Sequence, residues 1–497
     1  MFLLLTAIVL LVFFTLVLRR SLHVSASATL AVTGIITVVT GQFTAPGFIS
    51  SLLHGLLVGI EISSLIFGAL LFYNCLSETD YLKQLESAVR QFSRNGLIVA
   101  IVLAFFFGSF IEGVSGFGTP AMIVAPLLLG LRFPIYIAAA LPLLANTAAV
   151  VFGAVGTPIK IGFADLPTEY TPIFTSLLVL LPAVLIPVVF KRLLETDKLL
   201  KDEPGGLNAY FIAIAAGVAF AVPFLVFSIL AAPEFPSIAA PLVGLAIWLL
   251  ILKLTRCSQI NFERSSLIKV IKALGPYLLV ALLLVAGKLL LGSSAFVVAW
   301  PAFGLEKGIY YFQPGLIFMI GSLLLLSRFR KGTAISFAGI LRQTSGRLPA
   351  TFASITVLAV LARSLSQNLD VDELVGYGEL PAPVFNILAV FTGFLGSFIA
   401  GSATVSNLMF GSEWYSVGRQ FHLSIPLLLA AQLAGAALGN ALSLQNIAIV
   451  QAVLNEKGLE GRLISKLWKP VFIFFLCIIA TAILLSLACD RSWEATD

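Results

Sequence analysis

The chain has 497 residues, 59% of them hydrophobic and only 11% charged, with a formal net charge of +6. An ordinary soluble domain carries about 25% charged residues, so this chain cannot cover a water-facing surface, and lipid is its natural solvent. The positive balance does not point to nucleic acid, because the Lys and Arg residues are scattered through short loops between apolar runs.

Taken in chain order, apolar runs predict spans at 2–18, 24–46, 51–76, 135–165, 172–190, 209–232, 236–252, 273–291, 310–327, 350–366, 423–454 and 470–489. The run from Phe2 to Leu18 lacks a basic opening and is followed by Arg19 and Arg20. It reads as a retained first span with its N-terminus outside, not as a signal peptide. Two further apolar segments, 97–131 and 383–412, are rich in Gly, Ser and Thr and are interrupted in the middle. Each reads as a re-entrant hairpin that must be wrapped in protein, because irregular backbone cannot face lipid. The segments placed inside hold 24 of the 30 Lys and Arg residues. The expected fold is therefore an all-α membrane protein with about 12 transmembrane helices, two re-entrant hairpins and both termini outside.

GSFIEG at 108–113 returns as GSFIAG at 396–401, an offset of 288 (396 − 108). The same shift carries the span 135–165 onto 423–453. The two copies start an odd number of spans apart, so they lie upside down relative to each other. That places a first inverted repeat at 1–195 with the hairpin 97–131, a two-span linker at 196–270, and a second inverted repeat at 271–497 with the hairpin 383–412. Interrupted helices in matching places of inverted repeats are a pointer to a transporter's site.

The first hairpin reads GSFIEGVSGFGTPAMIVAPLLLGL. Gly113, Gly116 and Gly118 permit a sharp turn, and Ser115 and Thr119 add hydroxyls. Pro120 suits the first turn of a following helix, which leaves free N–H groups and a positive helix end, an anion site in waiting. The alternative is a glycine-rich face for helix packing. Glu112 is a carboxylate inside the apolar run, which costs several kcal/mol unless paired, hydrated or protonated. It reads either as a proton-coupling group or as a structural carboxylate.

The second hairpin reads GSFIAGSATVSNLMFG, with Ser402, Thr404, Ser406 and Asn407 clustered at Gly401. These hydroxyl and amide groups would serve a small polar substrate or bond back onto helix carbonyls. The neighbouring long spans bring Asn146 and Thr147 in the first half, and Gln432, Asn440, Ser443, Gln445 and Asn446 in the second. Arg363 and Lys160 are cations near span ends, facing a carboxylate or snorkelling to the interface; snorkelling is favoured for Lys160. His23, His54 and His422 form no ligand cluster, and Cys75, Cys257, Cys477 and Cys489 match no metal or disulfide spacing. No catalytic residue, metal or cofactor is expected, and no phosphate-binding loop appears.

GSFIEGVSGFGTPAMIVAPLLLG, LLANTAAVVFGAVGTPI, GSFIAGSATVSNLMFG and LSLQNIAIVQA resemble the blocks of the lactate permease family, in that family's order. The resemblance implies an elevator-type secondary transporter of the ion transporter superfamily, in a bacterial inner membrane, carrying lactate, glycolate and similar 2-hydroxy monocarboxylates with protons. It places substrate contacts at Gly116, Gly118, Thr119, Asn146, Thr147, Gly401, Ser402, Thr404, Ser406, Asn407, Gln445 and Asn446, to which Ser115 is added from its hydroxyl. Arg363 is added from its charge, and Glu112 is the proton-coupling candidate. The chain departs from the family's pattern at Ala403, Val405 and Leu444, where Asp, Ser and Pro are usual. Sodium-coupled uptake of another organic anion is the alternative, and a solute sensor or embedded enzyme is the reading of a different class. Expected partners are a small organic anion, protons or sodium, and the lipid bilayer; a homodimer stays open.

Overall fold

The computed structural model describes residues 6–7, 9–10, 13–14, 18, 22–78, 81–116, 118–164, 166–196, 208–255, 257, 260, 264–291, 295–303, 305–329, 337–346, 348–367, 380–456 and 458–493. The first half contains α1 (Leu22–Val39), α2 (Ala45–Ser77), α3 (Tyr81–Phe92), α4 (Gly96–Val114), α5 (Thr119–Gly130), α6 (Ile135–Ala149), α7 (Gly153–Lys160) and α8 (Thr171–Thr196). Next come α9 (Ala209–Leu230), α10 (Pro236–Leu254), α11 (Arg264–Leu291), β1 (Ala295–Trp300), β2 (Leu305–Tyr310) and α12 (Pro314–Phe329). The remainder is α13 (Phe337–Ser345), α14 (Leu348–Gln367), α15 (Ala382–Ala400), α16 (Ala403–Gln420), α17 (Ile425–Leu442), α18 (Leu444–Leu454) and α19 (Glu460–Trp493).

Among the described residues nine helices are long and apolar enough to cross a membrane, with α6–α7 and α17–α18 counting as one each. Five apolar helices are shorter, within α1, α5, α11, α12 and α14. The expected span 2–18 falls largely outside the described residues. The helices α4 and α15, expected as short hairpin arms, each run 19 residues, about 28 Å of helix. The second arm of the later hairpin continues to Gln420, past the expected end at 412. Glu413 interrupts the apolar run there, yet it is buried with Trp414 beside it, so packing carries the helix through a polar position. The all-α expectation meets one exception. The strands β1 and β2 pair antiparallel from Ala295–Tyr310 to Trp300–Leu305, in keeping with the β-branched and aromatic residues of AFVVAW.

One order occurs twice: two helices joined by a tight turn, an interrupted helix, then a long helix. The offset of 288 carries Ile135 of α6 to 423 and Thr171 of α8 to 459, and the later elements start at Ile425 and Glu460. Burial separates centre from periphery. Every residue in the apolar window of α4 is buried, as are 94% along α17–α18, against 28% for α19. Within α4, Ile101–Phe107 is a buried π-helical stretch, and its Phe105 and Phe106 pack on Phe220 and Trp248.

The later hairpin is pressed against α17 through a seam without side chains. A Cβ on Gly393 would overlap the Gln432 carbonyl, and one on Gly435 would overlap the Val390 carbonyl. A chain of buried hydrogen bonds runs beside that seam. Trp414 Nε1 donates to Thr392 Oγ1, Thr392 Oγ1 to Gln432 Oε1, and Gln432 Nε2 to Ser406 Oγ at 3.2 Å. Ser406 Oγ in turn donates to the Gly393 carbonyl at 2.9 Å. Because backbone carbonyls cannot retreat as side chains do, Gly435→Leu must force α15 off α17. A loss of about 1–3 kcal/mol is expected, read as a lowered thermal unfolding midpoint of the purified protein.

Candidate functional site

Both tight turns and both helix interruptions meet in one place. The turn between α4 and α5 has Gly116 at φ 61° and Gly118 at φ 78°, conformations that cost an L side chain roughly 1–2 kcal/mol. A Cβ on Gly116 would lie 2.7 Å from Ala154 Cβ, so the turn sits directly on the first interruption. Gly118 faces the other way, and its Cβ would stand 3.5 Å from Asn446 Oδ1 in the second interruption.

The first interruption is a 3-10 turn, Val150–Phe152, followed by three successive left-handed residues, Ala154 (φ 47°), Val155 (φ 59°) and Gly156 (φ 76°). Left-handed Ala and Val store strain, and such strain persists only where surrounding structure enforces it. Here the enforcement comes from the α9–α10 loop. A Cβ on Gly156 would lie 2.7 Å from the Pro233 carbonyl, and Lys160 Nζ pairs with Glu234 Oε1 at 2.8 Å. Glu234 is 1% exposed. The lysine is thus held by a buried acid and by the ring of Phe312, rather than snorkelling as expected; the acid lies 74 residues further along the sequence (234 − 160), beyond any local signal.

The turn between α15 and α16 has Gly401 at φ 66° as the C-cap of α15 and Ser402 as the N-cap of α16, accepting from the Val405 N–H. The second interruption is Ser443, whose hydroxyl accepts from Asn446 N–H and starts α18. A Cβ on Gly401 would touch Ser443 Oγ at 2.9 Å and Gln445 Cβ at 3.0 Å. Asn446 Nδ2 lies 2.6 Å from Asn440 Oδ1, 2.9 Å from the Asn440 carbonyl and 3.4 Å from the Gly401 carbonyl, three acceptors sharing its two hydrogens. Across the halves, Asn407 Nδ2 donates to the Pro158 carbonyl at 2.9 Å.

Between these four features lies a cavity of about 20 Å³, lined by Glu112, Gly118, Val150, Gly153, Ala154, Pro158, Gly401, Ser402, Ala403, Thr404 and Asn440. That is room for about one water molecule. Glu112 is 2% exposed. Its Oε1 packs against Gly153, where a Cβ would overlap it, and Asn146 of α6 is buried near the carboxyl. Its Oε2 is buried without a partner among the described residues. On the opposite side the α16 N-terminus brings Ser402, Ala403 and Thr404, with the partial positive charge of a helix start.

Of the site residues expected from the sequence, Glu112, Gly118, Gly401, Ser402 and Thr404 line the cavity. Gly116, Asn146, Asn407, Gln445 and Asn446 stand immediately behind that lining. Thr119 is buried at the start of α5. Ser115 and Thr147 donate to the carbonyls of Ile111 and Leu144 on their own helices, and Ser406 belongs to the bond chain under the hairpin. Arg363 stands on α14, outside the lining. Sequence reasoning passed over Gly153, Ala154, Pro158 and Ala403 as lining residues. No pattern announces left-handed Ala or Val, and the lining role of Ala403 follows only from its place beside the Ser402 cap. Asn440 was legible as a polar residue in a broken helix, but its position on the cavity was not.

Fold and site together define a multi-pass membrane permease. A model of the family described as L-lactate permease matches residues 1–296 and 307–488; the chain belongs to that family. It is 27% identical to the L-lactate permease of Escherichia coli K12, over 94% of this chain and 92% of that one. It is 27% identical to the L-lactate permease of Bacillus subtilis, over 94% and 93%. It is 26% identical to the glycolate permease GlcA of Escherichia coli K12, over 92% and 90%. The solved YdaH transporter of Alcanivorax borkumensis aligns over 90% of this chain and 88% of its own, with a TM-score of 0.45 and 16% identity. The chain is a multi-pass inner-membrane protein and not an enzyme.

Gly153 has ordinary backbone angles, φ −62° and ψ 161°, so Gly153→Ala leaves the chain path allowed and acts on the Glu112 carboxyl alone. Transport by this variant should fall at least about tenfold, the scale of one displaced buried polar group, while the amount of folded protein in detergent stays near wild type. Uptake assays paired with size-exclusion profiles would check both.

Proposed function

We propose that this chain is a secondary transporter that carries a small 2-hydroxy monocarboxylate, lactate or glycolate, together with a proton. The observation that carries the reading is the cavity in which buried Glu112 from the first half meets the Ser402-capped start of α16 from the second. Support for the substrate class comes from family membership and from relatives named as lactate and glycolate permeases.

The chemistry is electrostatic. A carboxylate ligand is stabilised at the N-terminus of α16, where unpaired N–H groups and the hydroxyls of Ser402 and Thr404 converge. The same cavity holds the Glu112 carboxyl, and two like charges in a low-dielectric space repel by several kcal/mol. The anion is therefore accommodated when Glu112 carries a proton. By linkage, the anion also favours the proton, so the two travel together. The twofold element order supports two inverted repeats, 1–195 and 271–497, with 196–270 between them. In this reading the turns of α4–α5 and α15–α16 enter from opposite sides, although their first arms are long enough to cross on their own. The hairpins and interrupted helices would move against the wall of α2, α12 and α14, as in an elevator. Gly68 and Gly315, whose backbones touch, hold α2 and α12 of that wall together.

Glu112→Gln removes the exchangeable proton and keeps the shape. In proteoliposomes the variant should exchange labelled lactate yet fail to accumulate it under an imposed pH gradient. Accumulation equal to wild type would take Glu112 out of the coupling step. Accumulation that follows sodium instead of pH in the wild-type protein would replace the proton as the coupled ion.

A further inference from the structure

Asn446 sits where its amide orientation is not a free choice. One end of its side chain faces two main-chain carbonyls, those of Asn440 and Gly401. A carbonyl only accepts, so that end is the NH2 group. The same nitrogen lies 2.6 Å from the side-chain amide of Asn440. The atom of Asn440 facing it must then be the oxygen. Two backbone carbonyls thereby determine the orientation of a second side chain that neither of them touches.

The consequence falls on the other end of Asn440. Its Nδ2 has no hydrogen-bond partner among the described residues, and Asn440, 4% exposed, lines the cavity. A donor is held at the cavity wall with its direction locked. Asn440 is tied through Asn446 to Gly401, the residue immediately before the α16 N-cap. The donor therefore stands beside the helix start that takes a carboxylate, not in a separate compartment.

We infer that Asn440 is the residue that recognises the substrate's 2-oxygen, donating from Nδ2 while the carboxylate rests on the start of α16, and that Asn446 positions it. This rests on the reading of the cavity as the site of a 2-hydroxy monocarboxylate. A donor of fixed direction needs an acceptor. The oxygen of a 2-hydroxyl or of a 2-keto group supplies one, and an unsubstituted acid does not. A site built to hydrogen-bond a substrate group discriminates strongly against the analogue lacking it, because the protein's buried polar group is then left unpaired.

The test is exchange of labelled L-lactate in proteoliposomes of the full chain, with glycolate, pyruvate and propionate as competitors. Wild type should be inhibited by glycolate and pyruvate about tenfold or more better than by propionate. In Asn440→Ala the inhibition by glycolate and pyruvate should weaken about tenfold, with that by propionate unchanged. Asn440→Leu, which is close in size and removes the donor without adding charge, should show the same selective loss even if the alanine variant assembles poorly. Asn446→Ala should show a smaller loss confined to the two acids that carry a 2-oxygen; a merely structural role would weaken all three. Equal weakening of all three acids by Asn440→Ala and Asn440→Leu would overturn the assignment, and so would no change. A wild-type protein that ignores all three acids would overturn the substrate reading itself, and this assignment with it.

Discussion

A helix interrupted inside a membrane leaves carbonyls that water cannot reach, and each must find a donor within the protein. Most of this structure's central geometry follows from that demand. The Ala149 carbonyl at the end of α6 receives Ser237 Oγ at 2.6 Å. The Pro158 carbonyl near the end of α7 receives Asn407, and the Asn440 and Gly401 carbonyls receive Asn446. In each of these the donor comes from a different element. The Gly401–Asn446 bond joins one turn directly to one interruption, and a small polar cavity is what remains between the two turns and the two interruptions.

That economy makes the two halves chemically unequal. The shift of 288 residues places Ala400 opposite Glu112 and Ala441 opposite Gly153. The first half supplies a buried acid and the glycine that makes room for it. The second supplies a serine-capped helix start and an amide pair, Asn440 with Asn446. A buried carboxyl and a serine-capped helix start are thereby brought to one cavity from opposite halves. The strained segment Ala154–Gly156 is held by the α9–α10 loop through Gly156 and the Lys160–Glu234 pair, which joins the intervening α9–α10 segment to the first half's contribution.

Much was legible before folding is considered. The apolar runs marked the long helices, since about 20 apolar residues suffice to cross hydrocarbon. The Gly–Ser–Thr clusters marked both turns, because the left-handed conformations at Gly116, Gly118 and Gly401 demand residues without Cβ. The shared GSFI motif marked the duplicated order. Hydropathy misled in two places. It placed the end of α16 at the polar position Glu413, which packing buries, and it gave no sign of the β1–β2 hairpin, whose pairing is a matter of register, not of hydrophobicity.

The sequence by itself determined that the chain lives in lipid and that its order of elements is doubled, and it singled out Glu112, Ser402 and Thr404, which line the cavity. Composition and local turn chemistry act within a few residues, and both are written directly in the chain. Only the tertiary structure decided which polar groups reach the cavity. Ser115 and Thr147 turned back onto their own helices, Lys160 found Glu234, and Asn440 was turned to face the cavity by a neighbour held by Asn440's own carbonyl and by that of Gly401. The reason is that a buried donor or acceptor is claimed by whichever partner packing brings within about 3 Å, and sequence spacing does not say which partner that is.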